Sequence, residues 1–116
     1  MSSRSPSLTG SKRGTLIARI WHGVTPASRA DEYTAYLERT GVRECRATPG
    51  NRGVYLLRRI RQDRAEFKFV SLWDSLEAIR RFAGEDYEKA RYYSEDRDFL
   101  IELEPCVEHY DVVAGD

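Results

Sequence analysis

The chain contains two imidazoles, His22 and His109, and they are the side chains whose ordinary titration lies nearest neutral pH. Both are therefore candidate acid/base groups. His22 sits in the stretch RIWHG, residues 19–23, next to one of the two tryptophans. The pair could form half of a pocket, with the imidazole as its acid or base. The same pair also suits a plain strand end, where the ring packs and the imidazole bonds a backbone carbonyl, and the residues alone leave both readings open. A metal site does not follow, because two histidines without a spaced set of carboxylates make no ligand set.

Arg58 and Arg59 are consecutive, so in a strand one of them points to each face. Whichever points inward would hold a carboxylate or phenolate by charge-assisted bonds. Pointing outward, it would only discourage edge-to-edge association. Trp21, Phe67, Phe69, Trp73, Tyr55, Tyr92 and Tyr93 make the chain rich in rings, which suit a flat ligand or an ordinary core equally well.

The elements that would position these groups are legible in the spacing. TLIARIWH alternates, with Leu16, Ala18, Ile20 and His22 on one face and Ile17, Arg19 and Trp21 on the other, as in an inner strand. Trp21 and His22 therefore cannot share a cavity in a regular strand, and His22 with Ile20 is expected on the cavity side. Thr25 as cap and Pro26 at the first position open a helix expected over about residues 26–40, stopped by Gly41. VYLLRRIRQDRAEFKFVSLW predicts a hairpin turning near Gln62 and Asp63, its second arm placing Phe67, Phe69, Ser71 and Trp73 on one side. In DSLEAIRRFAG, Asp74 and Glu77 have capping-box spacing, Leu76, Ile79, Phe82 and Ala83 form a buried stripe, and Gly84 ends the helix. One or two short helices are expected over residues 85–103, then a last strand in CVEHYDVVA.

This order, βαββαβ, predicts an α+β, ferredoxin-like split βαβ fold: an antiparallel sheet in spatial order 4-1-3-2 with helices on one face. The first and last strands are then neighbours, which brings His22 and His109 to one region. Strands apolar on both sides leave a second sheet face to be covered, most simply by a two-fold partner.

With 116 residues the chain is expected to form one domain over residues 14–116, preceded by a disordered N-terminal tail over 1–13. Nineteen basic residues cancel nineteen acidic ones, which argues against nucleic acid and permits self-association. No apolar run approaches the roughly 20 residues of a membrane span. The N-terminus lacks the apolar core of a secretory signal. Cys45 and Cys106 lack metal-type spacing and suit small hydrophobes in a reduced, cytoplasmic protein.

IARIWHGVTP, RGVYLLRRI and FKFVSLWDSLEAIRRFAGEDYEKA, closing with VEHYDVV, resemble the antibiotic-biosynthesis-monooxygenase-like (ABM) domains of the dimeric α/β-barrel superfamily over residues 15–114. The resemblance implies a homodimer enclosing a barrel-like interior, with a pocket between sheet and helices in each protomer. It implies cofactor-independent oxidation of a small aromatic, quinol or polyketide-like molecule. In that reading His22 or His109 is the base, Arg58 stabilises the anion, Trp73 and Tyr92 position the ring, and Phe69 and Trp21 help line the pocket. The alternative is a non-catalytic module that binds a small molecule or heme, the latter with a histidine as axial ligand. Heme-degrading members carry an Asn on the first strand, a Trp ending the third and a His on the following helix. Trp73 matches the second, but Ile20 and Tyr92 stand near the other two places, which counts against that route.

Overall fold

The computed structural model describes residues 15–115, so the tail expected over 1–13 lies outside the described residues. Four strands, β1 (Leu16–Pro26), β2 (Asn51–Arg61), β3 (Arg64–Trp73) and β4 (Glu108–Val112), form one antiparallel sheet in the order β2-β3-β1-β4. Read from the other edge this is 4-1-3-2, the order of the split βαβ fold. The helices α1 (Ala30–Leu37), α2 (Arg43–Ala47) and α3 (Leu76–Ala83) and the single turn α4 (Asp96–Phe99) complete an α+β, ferredoxin-like architecture.

Strand alternation decides what each face carries. Opposite Phe67, Phe69, Ser71 and Trp73 of β3 stand Gly23, Trp21, Arg19 and Ile17 of β1, and this is the face the helices cover. Tyr33, Tyr36 and Leu37 of α1 pack there with Trp21, Phe67 and Phe99, while Ala78, Ile79 and Phe82 of α3 pack with Trp73 and Cys45. The two clusters meet at Phe69, which touches both. On the other face Ala18, Ile20, Val70 and Leu72 lie beside exposed Tyr55, Leu57 and Tyr110.

The first helix differs from expectation at both ends. Thr25 and Pro26 complete β1, and Thr25 turns its hydroxyl to the Pro26 carbonyl (3.0 Å) instead of capping. The strand outlasts its apolar stretch because Val24, Thr25 and Pro26 find antiparallel partners in Glu66, Ala65 and Arg64. Beyond a short 3₁₀ turn, Ala27–Arg29, helical backbone continues through α1, a π segment (Glu38–Val42) and α2. Gly41 lies inside this run and does not end it. Its role is contact: a Cβ there would stand 2.9 Å from the Phe69 ring.

The hairpin turns at Gln62 and Asp63 as expected, with Gln62 at φ 54°. At the start of α3 the cap is Ser75, not Asp74: the Ser75 hydroxyl accepts from the Ala78 amide (3.1 Å), while Asp74 pairs with Arg52 (2.6 Å). Leu76, expected in the buried stripe, is exposed, and Ala78 takes its place. Gly84 ends the helix at φ 90°. Both cysteines are free, Cys45 buried and Cys106 exposed.

The cap assignment separates two neighbouring substitutions. Ser75→Ala removes a capped amide and is expected to lower stability by about 1 kcal/mol. Asp74→Ala, which breaks an exposed ion pair, should cost less than about half of that. Urea unfolding of the two variants checks the ranking.

Candidate functional site

A narrow cleft with a cavity volume of about 40 Å³ opens under the helices where the two core clusters meet. That is room for a few waters, so a ring-sized ligand enters by moving the walls apart. Arg19 and Trp21 of β1 and Phe69 of β3 form the sheet side. Tyr33, Leu37 and Gly41 come from the first helical run and Phe82 from α3. Arg91, Tyr92, Tyr93 and Asp96 come from the segment that follows α3.

Local packing explains the WHG stretch. Gly23 lies two residues beyond Trp21 on the same face, and the indole folds over it: a Cβ at Gly23 would come within 2.1 Å of the ring. The glycine therefore lets the indole lie flat along the strand. Its Nε1 donates to the Tyr92 hydroxyl (3.1 Å), which donates to the Glu104 carbonyl (2.5 Å).

The polar groups of the cleft differ in how they are satisfied. Arg19 is only 6% exposed, and its Nη2 donates to the carbonyls of Tyr87 (3.4 Å) and Lys89 (3.1 Å). Burial, and to a smaller degree the nearby Arg91 cation, lowers its pKa to about 10, which still leaves it charged at neutral pH. Arg91 is anchored, donating to the Phe82 carbonyl (2.5 Å) and pairing with Glu44 (3.1 Å). Asp96, 3% exposed, accepts from the Tyr33 hydroxyl (2.8 Å) and the Tyr93 amide (2.6 Å). Its burial outweighs these two bonds and raises its pKa above the usual carboxylate value. The same burial, with Asp96 alongside, raises the pKa of Tyr33.

The histidines do not share this cleft. Trp21 faces the cleft beneath the helices, while the pleat sends His22, together with Ile20 as the alternation predicts, to the open face. There His22 Nε2 lies 2.8 Å from Glu66 and Nδ1 2.8 Å from Glu104, with Arg59 paired to the far side of Glu66. The ring borders a wider hollow that includes Ile20, Lys68 and Tyr110. Partial burial opposes its charging, but the hydrogen bonds and charges of Glu104 and Glu66 prevail and raise its pKa. Glu66 is lowered to about 2, first by Arg59 and then by His22. His109 stands on the helix side directly across from Arg19, edge-on to the Tyr87 ring at 5.4 Å. Burial and the Arg19 charge lower its pKa, and its Nε2 has no hydrogen-bond partner among the described residues.

Of the other residues singled out, Trp21, Phe69 and Tyr92 line the cleft. Trp73 does not: it is fully buried, donating to the Ser71 hydroxyl (2.8 Å) and packed on Phe82 at 5.7 Å. Arg58 points to the helix side but pairs with Asp31 (2.9 Å) and Thr34 (3.2 Å), away from the cleft. Sequence reasoning missed Arg19, Arg91 and Asp96. Arg19 left a signal, a charge between Ile17 and Trp21 on the core-facing alternation of an apolar strand; Asp96, within a charged stretch, left none.

The donors present do not suit an axial ligand for heme. Among the described residues of the cleft there is no histidine, cysteine or methionine, and the hydroxyls of Tyr33, Tyr92 and Tyr93 are committed to Asp96, Glu104 and Glu44. No group of three His, Cys, Asp or Glu that could hold a metal ion occurs among the described residues. No helix among them is long and apolar enough to cross a membrane.

A four-stranded antiparallel sheet with helices on one face and an aromatic cleft beneath them places the chain in the ferredoxin-like α+β class. Within that class it belongs to the antibiotic biosynthesis monooxygenase (ABM) family, whose model matches residues 15–91. Three solved structures are similar. One is a putative antibiotic biosynthesis monooxygenase from Bacillus cereus, with 17% identity, 88% of this chain and 96% of that one covered, and a TM-score of 0.54. Another is a heme-degrading protein from Mycobacterium tuberculosis in a heme-free, cleaved form, with 20% identity, 90% and 98% covered, and a TM-score of 0.55. The third is SnoaB, a cofactor-independent oxygenase from Streptomyces nogalater, with 20% identity, 88% and 92% covered, and a TM-score of 0.51. At these identities the likeness is one of fold. No curated protein matches the chain.

The His22 cluster has a pH signature. A histidine with a raised pKa stabilises the fold fully below its unfolded value, near 6.5, and loses that contribution as pH rises through the folded value. Glu66 contributes above about 4.5 and loses its effect as pH falls towards about 2. The unfolding temperature of His22→Gln should therefore lie below that of the parent by most at about pH 5–6, with the gap narrowing as pH rises to about 9. A gap independent of pH in melting curves would refute the charged clasp.

Proposed function

We propose that the chain is a cofactor-independent monooxygenase that oxidises a small planar aromatic, quinol or polyketide-like molecule in the cleft beneath its helices. The observation that carries this reading is the combination of aromatic walls with a buried carboxylate, Asp96, whose pKa is raised by that burial. A carboxylate of raised pKa in an apolar site is a stronger base than one in water.

In this reading Asp96 takes a proton from a phenolic or benzylic position of the substrate, leaving an electron-rich anion that reacts with dioxygen directly. One oxygen atom becomes a carbonyl on a ring carbon that was CH₂, and the other leaves as water with that carbon's two hydrogens. The substrate thus supplies all four electrons that dioxygen takes up. Trp21, Phe69 and Tyr92 hold the ring flat. Neither histidine serves as the base: His109, kept neutral beside Arg19, does not line the cleft, and His22 has both nitrogens occupied by carboxylates on the opposite face. The solved oxygenase of similar fold that works without a cofactor supports the same class of chemistry.

We also propose that the chain works as a homodimer, joined through the open sheet face. Tyr55, Leu57 and Tyr110 are 59%, 51% and 53% exposed there beside the partly buried Ile20, Val70 and Leu72, an apolar area that a monomer would leave in water. Sedimentation should give about twice the chain mass of 13.4 kDa, and Leu57→Glu should shift the protein towards the monomer.

The catalytic reading is tested with 1,8-dihydroxy-9-anthrone, following absorbance and dissolved oxygen together against the uncatalysed background. One dioxygen consumed per anthraquinone formed, without hydrogen peroxide, is the expected result, and Asp96→Asn should lower kcat by about a hundredfold or more. Binding without oxygen uptake would make the protein a passive module.

A further inference from the structure

Arg19 is a buried charge whose partners do not balance it. Two carbonyls accept from its Nη2, while its Nε is sealed from water and has no hydrogen-bond partner among the described residues. The Glu44 carboxylate pairs instead with Arg91 (3.1 Å) and accepts from the Tyr93 hydroxyl (2.6 Å). Arg91 itself adds positive charge near Arg19. Cys45, also nearby, has its pKa raised by burial to about 12 and so stays a neutral thiol. His109, across the strand pair, is held neutral and has an unpartnered Nε2 of its own.

An isolated cation in an apolar interior is strongly destabilising unless an opposite charge sits against it. A clamp for the carbonyls of Tyr87 and Lys89 needs donors but not a net charge. The charge is therefore unexplained by the fold alone, and the guanidinium forms part of the cleft wall. The Phe82 ring lies against it at 5.5 Å, and the Trp21 and Phe69 side chains continue the apolar surface from there. A planar ring bearing a negatively charged oxygen fits both features together: the ring against the aromatic walls, the oxygen against the guanidinium.

We propose that the cleft selects its ligand as an aromatic oxyanion, a carboxylate or an ionised phenol on a flat ring system, and that Arg19 is the residue that seats the negative oxygen. This rests on the reading of the cleft as the substrate site and specifies the substrate's charge. It also gives Arg19 a part in the reaction, because the cation that seats the anion favours its formation from the neutral phenol.

Two probes of one shape separate the charge from the ring: 2-naphthoate and 2-naphthamide, titrated into the full-length protein by calorimetry at neutral pH. The parent protein should bind the carboxylate about tenfold or more tightly than the amide. Arg19→Gln should abolish that preference while leaving the amide within about twofold, and Arg19→Lys should keep part of it. An arginine that serves only to hold the Tyr87 and Lys89 carbonyls would instead weaken both probes equally when replaced. Equal binding of the two probes by the parent overturns the proposal but leaves the cleft as a ligand site. If neither probe binds, the cleft reading falls and the proposal with it. The parent comparison needs no variant, so it decides the matter even where Arg19→Gln does not fold.

Discussion

The pleat of β1 is the constraint on which the rest of the arrangement depends. A regular strand sends consecutive side chains to opposite faces, so Arg19 and Trp21 enter the helix-covered side while Ile20 and His22 go to the open side. β1 is also the strand flanked by both β3 and β4, which leaves no freedom to rotate or slip without turning every one of these residues over. Two unlike environments are thus specified by neighbouring residues: a dry aromatic cleft and a charged cluster. They are nevertheless joined, since Glu104 accepts from Tyr92 at its carbonyl and binds His22 through its carboxylate. The segment containing Glu104 is held further by the Ile101 amide on the Val24 carbonyl (2.8 Å) and by the Val107 amide on the Glu88 carbonyl (2.9 Å).

Arg19 and His22 show two electrostatic solutions three positions apart. His22 is part-exposed and flanked by two carboxylates, so its protonated form is matched and its pKa rises. Arg19 is almost wholly buried and has carbonyls where His22 has carboxylates, so its charge is tolerated at a cost. The contrast follows from access to water. At the open face a surplus of negative charge is screened by water, and Glu66, held low by Arg59 and His22, stays ionised. In the core the same pair of carboxylates would have to be desolvated, and the chain supplies neutral acceptors instead.

Much of the frame was legible in the residues. The alternation of TLIARIWH and of FKFVSLW assigned the two sheet faces correctly, and QD placed the hairpin turn, because period and turn chemistry are local properties. The expected helix stop at Gly41 failed for a non-local reason: the glycine is there to admit the Phe69 ring, and an isolated glycine does not by itself end a helical run. Thr25 and Pro26 read as a helix start, yet pairing with Ala65 and Arg64 draws them into the strand. The cleft was harder to see. Proton-transfer chemistry drew notice to the histidines, whereas the buried carboxylate comes from a stretch whose spacing resembles solvated surface, and its burial depends on α1 presenting Tyr33 to it.

That stretch bears on how far membership of the family informs the site. The family match ends at residue 91, and Tyr92, Tyr93, Asp96 and Glu104 all lie beyond it. Matched residues build β1 to β3, α1 to α3 and the guanidinium side of the cleft, while residues beyond the match provide β4 and the carboxylate and close the cleft through Tyr92. The sheet sets the distance between walls and the closing segment sets what they bear. Solved proteins of different printed activities, a heme degrader and a cofactor-independent oxygenase, share the fold with this chain, so the fold alone does not assign chemistry. The chemistry of this chain is therefore to be sought in the pairing of its own Arg19 with its own closing segment, not in the fold they share.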